Sequence, residues 1–474
     1  MPATRRRVLG GLAAGAVAAA GLGGCSPAPA AGPTAASGAV SLQVILDIPA
    51  TDQLGSRAER DALYREVLAA FTAKHHGIEV RIAPYVSTSA NVAAIIAGTA
   101  ADVFADTAPS YAAYVQQHLL LALTPYLRRD AVNPAIWSST VWNALLTPTG
   151  TYALSRGLDS YVLAVDLGAA DRAGLAYPST DWTHTEFAAF ATALSGTAAG
   201  GQHRYGVGLQ GGPGGFLGGL QNPVVGFGGA VTNGARTRQT LSAPAALAGA
   251  HWLLAHLLWP RAGIINTGAA NLTAGTAAIE EIQQVDLLFK FQQWQQNFKW
   301  TLYPPPVYPK GRVGGAAANF WAVSGTTRHP EEAWAFIRWL TVDPTYQVFL
   351  MKTFLFPPAV TALLAQWQGM VEAVAPGLRG KGLQWFTAGA AQGWGRAEPY
   401  FAYANTQAIG VDAPWWSRIL QQTVSAAAGL TQADAQVNAL QAAAAAQAPV
   451  SLASIQAAQR RQRAALQRMF AAGG

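Results

Sequence analysis

The chain has 474 residues, 51% of them apolar and only 12% charged, with a formal net charge of +7. That length exceeds one ordinary core and the composition excludes a disordered chain, so two lobes or domains are the default. The single cysteine leaves no disulfide framework or thiolate metal site, and the basic residues form no stripe interleaved with aromatics, which argues against nucleic acid.

The chain opens on Thr4-Arg5-Arg6-Arg7-Val8-Leu9, an apolar stretch to Leu22, and then Gly23-Gly24-Cys25. A charged n-region, an apolar h-region and small residues at the junction make an export signal. The Leu-Gly-Gly-Cys ending resembles the lipobox of bacterial lipoproteins. That resemblance implies cleavage after 24, a lipid on Cys25, and a place on the outer face of the cell membrane, in the periplasm or at the cell surface. Cleavage takes away three arginines, so the net charge falls from +7 to +4. The alternative is a free thiol behind an uncleaved anchor helix, although the stretch is short for a span of about 20 residues. The arginine run resembles a twin-arginine signal and fits an ordinary secretory n-region equally.

Residues 25–40 are rich in Pro, Ala, Gly and Ser and read as a tether that lets the body clear a membrane. A strand is predicted at Ser41–Leu46 and an amphipathic helix at about 57–75, with Leu63, Val67 and Phe71 on one face. Gly77 ends that helix before a strand at Ile78–Ile82. Helix 89–98, strand Asp102–Ala105 and a helix near 109–119 follow. Strand–helix–strand order indicates an α/β lobe with a mainly parallel sheet. A second lobe is expected from Arg156, with a strand at Ser160–Val165 and helices near 183–195, 244–258 and 276–294. Pro304-Pro305-Pro306 reads as an extended crossing, 330–341 as a helix, and the tail from about 417 as Ala/Gln-rich helix. Outside the leader, no uninterrupted apolar run is long enough to span a bilayer.

Gly206-Val207-Gly208-Leu209-Gln210-Gly211 matches G-x-G-x-x-G, but Gly212-Pro213-Gly214-Gly215 follows where a nucleotide site needs a helix. A strand running into a loop is expected there. His75-His76 cannot share a helix face, and His251 and His256 are poorly spaced for one metal. No G-x-S-x-G elbow occurs. Glu280-Glu281 and Glu331-Glu332 read as solvated faces of helices. No residue pattern argues for an enzyme, a metal or a cofactor.

Five segments in order resemble the family 1 extracellular solute-binding proteins, the maltose-binding-protein-like receptors of ABC importers. They are FTAKHHGIEV from Phe71, GTAADVFADTAPSYAAYVQQHLLLALTPYL from Gly98, YALSRGLDSYVLAVD from Tyr152, GGAAANFWAVSGTTRHPEEAWAFIRW from Gly314, and Trp415-Trp416-Ser417-Arg418-Ile419-Leu420. Ala101, His118 and Ser155 depart from the family's usual residues. The resemblance covers about 41–447 and implies a two-lobed, type II periplasmic-binding-protein-like α/β fold with the ligand cleft between the lobes. The lobes would divide as 41–155 and 304–355 for the first, and 156–303 and 356–447 for the second. A basic helical tail at 448–474 would follow, touching anionic lipid or presenting a solvated basic face.

The same resemblance implies a monomeric receptor without catalytic groups. It would capture a sugar or oligosaccharide and deliver it to ABC transporter permease subunits. Asp106 falls where the family places a cleft carboxylate, or else caps a helix. Asp159, at the first crossing, would accept sugar hydroxyls or pair with Arg156. Asn319, Phe320 and Trp321 stand where the returning strand meets ligand, although alternation lets only some of them face it. Trp415 corresponds to a stacking tryptophan, or to core. Gln283 and Gln284 replace another tryptophan, a departure that weighs against a maltodextrin. Trp394 looks exposed on a loop that reaches the cleft. A non-sugar solute, such as a glycerophosphodiester, a polyamine or an organic anion, is the competing expectation; an exported glycan-cleaving enzyme is the third.

Overall fold

A computed structural model of the chain describes residues 39–46, 57–147, 149–197, 201–209, 218–265 and 270–446. The leader, Cys25, residues 26–38 of the tether, the glycine-rich 210–217 segment and the basic tail lie outside the described residues.

The first lobe is built on a five-stranded sheet in the order Ile78–Ile82, Val40–Ile45, Val103–Asp106, Phe320–Val323, Ala153–Ser155. The first three strands run parallel, and Phe320–Val323 is antiparallel to both its neighbours. Parallel strands are covered on both faces. Here Leu42, Val44 and Trp321 pack on one side with the helices Arg57–Lys74 and Pro330–Val342. Phe104, Phe320 and Ala322 pack on the other with Ala108–Gln116. The alternation along Phe320-Trp321-Ala322-Val323 sends successive side chains to these two cores.

The second lobe has a larger sheet ordered Gly263–Ile265, His203–Leu209, Ala277–Gln283, Asp159–Asp166, Gly314–Ala317, Gly395–Ala397, with Trp300–Tyr303 also paired to Asp159–Asp166. Asp159–Asp166 is its spine, with every residue but Asp166 buried. Leu163 and Val165 face one core, while Val162 and Ala164 face another that holds Trp294, Trp300 and Trp367.

One helix expectation fails. Residues 277–283 are a strand, and the helix begins only at Gln284 and runs to Asn297. Glu280 and Glu281 are therefore buried instead of solvated. Lys290 meets Glu280 at 2.7 Å, Leu272 N–H donates to it at 2.9 Å, and Asn222 donates to Glu281 at 3.3 Å. Pairing on both edges of the strand outweighs the helix preference of Ala and Glu, a tertiary override that no local pattern reports.

Two short crossings join the lobes directly. Residues 156–158 carry the chain from Ala153–Ser155 to Asp159–Asp166, and residues 318–319 return it from Gly314–Ala317 to Phe320–Val323. They are bonded to each other by Arg156 N–H to Asn319 O at 2.9 Å, and to residues 356–358 by Leu158 N–H to Pro357 O at 3.0 Å. Gly157 is required at this junction, since a Cβ there would stand 2.4 Å from the Phe356 ring. Pro304–Pro306 stays in the second lobe, where Pro305 and Pro306 pack near Trp252 and Glu281.

The lobes also meet away from the crossings. Arg236 Nη1 donates to Ala144 O at 3.2 Å, and Gln116 Nε2 to Ala444 O at 3.3 Å. Among the described residues no helix is long and apolar enough to cross a membrane.

Candidate functional site

The C-terminal ends of the first lobe's parallel strands point toward the second lobe, the general position for ligands in open α/β sheets. Ala108 and Tyr111 of the helix after Val103–Asp106 form one wall, with Ala144 and Leu145. Arg236, Glu398 and Tyr400 of the second lobe form the other, and Ala318 of the return crossing closes the floor. The cavity they enclose is about 10 Å³, room for one water. A larger solute does not fit between the lobes in this arrangement. Tyr85, Tyr152 and Tyr400 are half-buried and pack against the first-lobe core behind that wall.

The floor carries a buried polar cluster. On the spine strand Asp159 and Tyr161 are two residues apart and so share a face. Tyr161 OH donates to Glu398 Oε1, Tyr400 OH donates to Glu398 Oε2, and Gln283 Nε2 donates to Tyr161 OH. Gln283 stands directly opposite Tyr161 in the antiparallel register. Asn319 Nδ2 donates to Asp159 Oδ2 at 3.3 Å, while Asp159 Oδ1 is buried without a partner. Burial pushes the Asp159 carboxyl up to about 8, helped by the nearby charges of Glu398 and Asp286. Burial pushes Glu398 up to about 7 against the two tyrosine hydroxyls that favour its charged form. Both acids are therefore positioned to take or give up a proton near neutrality.

The residues singled out by sequence separate into groups. Asp159, Asn319 and Gln283 come together in this cluster. No ion pair joins Asp159 to Arg156, whose guanidinium lies over the Trp321 and Phe356 rings. Asp106 ends its strand wholly buried, with both oxygens occupied. It accepts from Thr107 N–H at 2.7 Å, Tyr114 OH at 2.8 Å and Thr88 Oγ1 at 3.1 Å. It braces the wall from behind. Phe320 packs on Tyr111 and Tyr114, and Trp321 on Tyr346, both with no exposed surface.

Trp394 corrects an expectation. It is 9% exposed, where an exposed loop position was expected. Its ring seats on Gly314 and Gly389, where a Cβ would stand 2.5 Å and 3.0 Å away, and Arg312 lies over it. Trp415 is half-buried on the helix Asn405–Leu420, donates to Gln436 Oε1 of the next helix at 3.1 Å, and lies beneath Arg418. None of these contacts joins it to the cluster. Sequence reading missed Tyr161, Arg236, Glu398 and Tyr400. Tyr161 had a signal in its two-residue spacing from Asp159; the others lie on loops and carried none.

Two α/β lobes, short crossings between them and a polar floor where they meet define a type II periplasmic binding protein. The sequence profile of the bacterial extracellular solute-binding proteins matches residues 55–346, and the chain belongs to that family. Members of an extracellular family are exported. A search of curated proteins found no match. Among solved structures, the chain is similar to an ABC substrate-binding protein from Listeria monocytogenes in complex with cycloalternan, at 16% identity and a TM-score of 0.66, covering 85% of this chain and 99% of that one. It is similar to the sugar-binding protein MalE from Xanthomonas citri at 17% identity and 0.66, covering 85% and 98%. UgpB from Mycobacterium tuberculosis in complex with glycerophosphocholine matches at 15% identity and 0.66, covering 86% and 99%. At these identities the likeness shows the shared fold alone.

Proposed function

We propose that this protein is the receptor of an ABC importer that captures a carbohydrate between its lobes and hands it to membrane permeases. The observation that carries the reading is the cluster Asp159, Asn319, Tyr161, Gln283 and Glu398 on the floor, which Tyr400 joins through Glu398 while Tyr85 and Tyr152 stand half-buried on the first-lobe core. Carboxylates and amides accept and donate to sugar hydroxyls, and aromatic faces cover the apolar face of a pyranose ring. Asp159 keeps an oxygen free for such a hydroxyl. The Listeria and Xanthomonas relatives, described as binding cycloalternan and sugar, support the same class.

Closure supplies the signal. A solute that touches both Tyr111 and Glu398 stabilises the joined lobes over the parted ones, and that difference in affinity drives the motion. Lipid attachment at Cys25 would keep the receptor at the membrane where its permeases sit. The receptor acts as a monomer and needs no catalytic group.

The test is thermal unfolding of residues 38–474 against mono- and oligosaccharides, polyamines, glycerophosphodiesters and organic anions. A ligand at about 100 times its dissociation constant stabilises by roughly 2.7 kcal/mol. A sugar hit that Asp159→Ala abolishes supports the reading. A shift from a non-sugar alone would discard the carbohydrate and keep the receptor, and turnover of a glycan would discard the pure receptor.

A further inference from the structure

One side chain of the cleft is not used by that reading. Arg236 stands at the tip of a turn closed by Asn233 N–H to Arg238 O at 2.9 Å. Its own backbone is left-handed, with φ of 59°. Asn233 Oδ1 accepts from Thr237 N–H at 2.8 Å and Arg238 N–H at 3.0 Å, which holds that conformation. The turn is clamped to the C-terminal helices. Gln239 N–H donates to Asn438 at 2.7 Å, Gln239 Nε2 to Asp412 at 3.1 Å, and Ser242 N–H to Asp434 at 2.8 Å. Ala402 N–H donates to Arg236 O at 2.7 Å, tying the turn to the loop that carries Tyr400. The guanidinium is thus presented from a rigid support.

It reaches across the interlobe cavity and donates to Ala144 O at 3.2 Å. Its remaining donors make no hydrogen bond, and no carboxylate pairs with it, among the described residues. Arg129, Arg172, Arg312 and Arg338 each meet a carboxylate. Glu398 lines the same cavity, but both its oxygens accept tyrosine hydroxyls. A half-buried guanidinium without a counter-charge carries a desolvation cost that an anion would offset. Burial holds it below the usual arginine value, and only Tyr111 opposes that.

We infer that Arg236 is an anion-recognising residue of the cleft and that the captured solute carries a carboxylate or phosphate group at that point. The planar fork suits either group, because two parallel N–H donors match two anionic oxygens. The inference rests on the receptor reading and narrows its ligand to an acidic sugar, a uronate or a sugar phosphate.

The test uses unfolding shifts and calorimetric affinities for the wild type, R236Q and R236K. The probes are paired: glucose with glucuronate and glucose phosphate, and maltotriose with trigalacturonate. Glycerophosphocholine and inorganic phosphate are added. At least one anion is expected to stabilise the wild type. R236Q should weaken it roughly thirtyfold or more, and R236K should keep part of the binding. The ligand-free midpoints of the three proteins are measured beside them, so that a change in folding is told apart from a change in affinity. If R236Q does not fold, a fall in wild-type affinity with rising salt carries the same expectation. Uronate hits and phosphate hits distinguish the two sources of charge. Binding confined to neutral sugars overturns the inference and leaves the carbohydrate reading standing. An anion that R236Q binds as well as the wild type, or no shift from any anion, also overturns it. A shift from glycerophosphocholine or inorganic phosphate alone, lost in R236Q, sustains the role of Arg236 and overturns the carbohydrate.

Discussion

Tyr161 and Glu398 stand 237 residues apart in the chain and meet hydroxyl to carboxylate on the floor between the lobes. Tyr161 comes from the spine strand of the second sheet; Glu398 follows the edge strand Gly395–Ala397. Replacing Tyr161 with Phe removes a donor from a buried carboxylate and an acceptor from Gln283. The expected cost is about 1–3 kcal/mol in chemical unfolding, with a loss of affinity for any hydroxyl-bearing ligand.

The raised acids set a pH dependence. Glu398 is held at about 7, against 4.5 for the free group, and Asp159 at about 8, against 3.8. Between those limits the folded chain binds more protons than the unfolded chain, so stability falls as pH rises from about 4 to about 8. Glu398→Gln should flatten that decline by up to about 3 kcal/mol. Unfolding midpoints of the two proteins at pH 5 and pH 8 check it; parallel curves would refute the assignment.

Gly157 sits against residues 356–357 with no space for a methyl group, since an added Cβ would stand 2.4 Å from the Phe356 ring and 2.6 Å from Pro357 O. Gly157→Ala should force the crossings apart at a cost of about 1–3 kcal/mol. It should also change the distance between lobes in small-angle scattering, because the strain falls at the junction where the lobes turn.

Two aromatic residues separate the cleft from the surface. Tyr400 bonds Glu398 and lines the interlobe cavity, whereas Trp415 bonds Gln436 on a helix pair. Tyr400→Ala should cost ligand affinity tenfold or more, of the order of 1.4 kcal/mol. Trp415→Ala should leave affinity within about threefold and lower stability by about 1 kcal/mol. The reverse order of effects would move the site to the outer helices.

Cys25→Ser should shift the full-length protein from the membrane fraction to the soluble fraction of expressing cells. Unchanged partition would remove the lipid anchor from the proposal and leave the cleft untouched.

Much of the first lobe was legible from periodicity. Helix 57–75 and strand Ile78–Ile82 appear as Arg57–Lys74 and Ile78–Ile82, because a strong apolar face and a terminal glycine act locally. The segment Ala277–Gln283 was not legible. Its two glutamates look solvated in sequence, and partners such as Lys290, Leu272 and Asn222, brought from outside the segment, make their burial tolerable. Trp394 was misread for a similar reason, since the glycines that make room for its ring lie on two other segments.

The sequence by itself determined the family and most of the order of strands and helices, because these rest on residues adjacent in the chain. It also pointed to Asp159 beside the first crossing and Asn319 at the return. Only the tertiary structure decided which groups share the cleft. Glu398 and Tyr400 come from a loop with no periodic signal and meet Tyr161 and Gln283 through packing within the second lobe, and Arg236, on another loop, lines the same cavity. Neighbours distant in sequence likewise decide the charge of Asp159 and Glu398, because burial among them penalises the ionised form more than the tyrosine hydroxyls restore it.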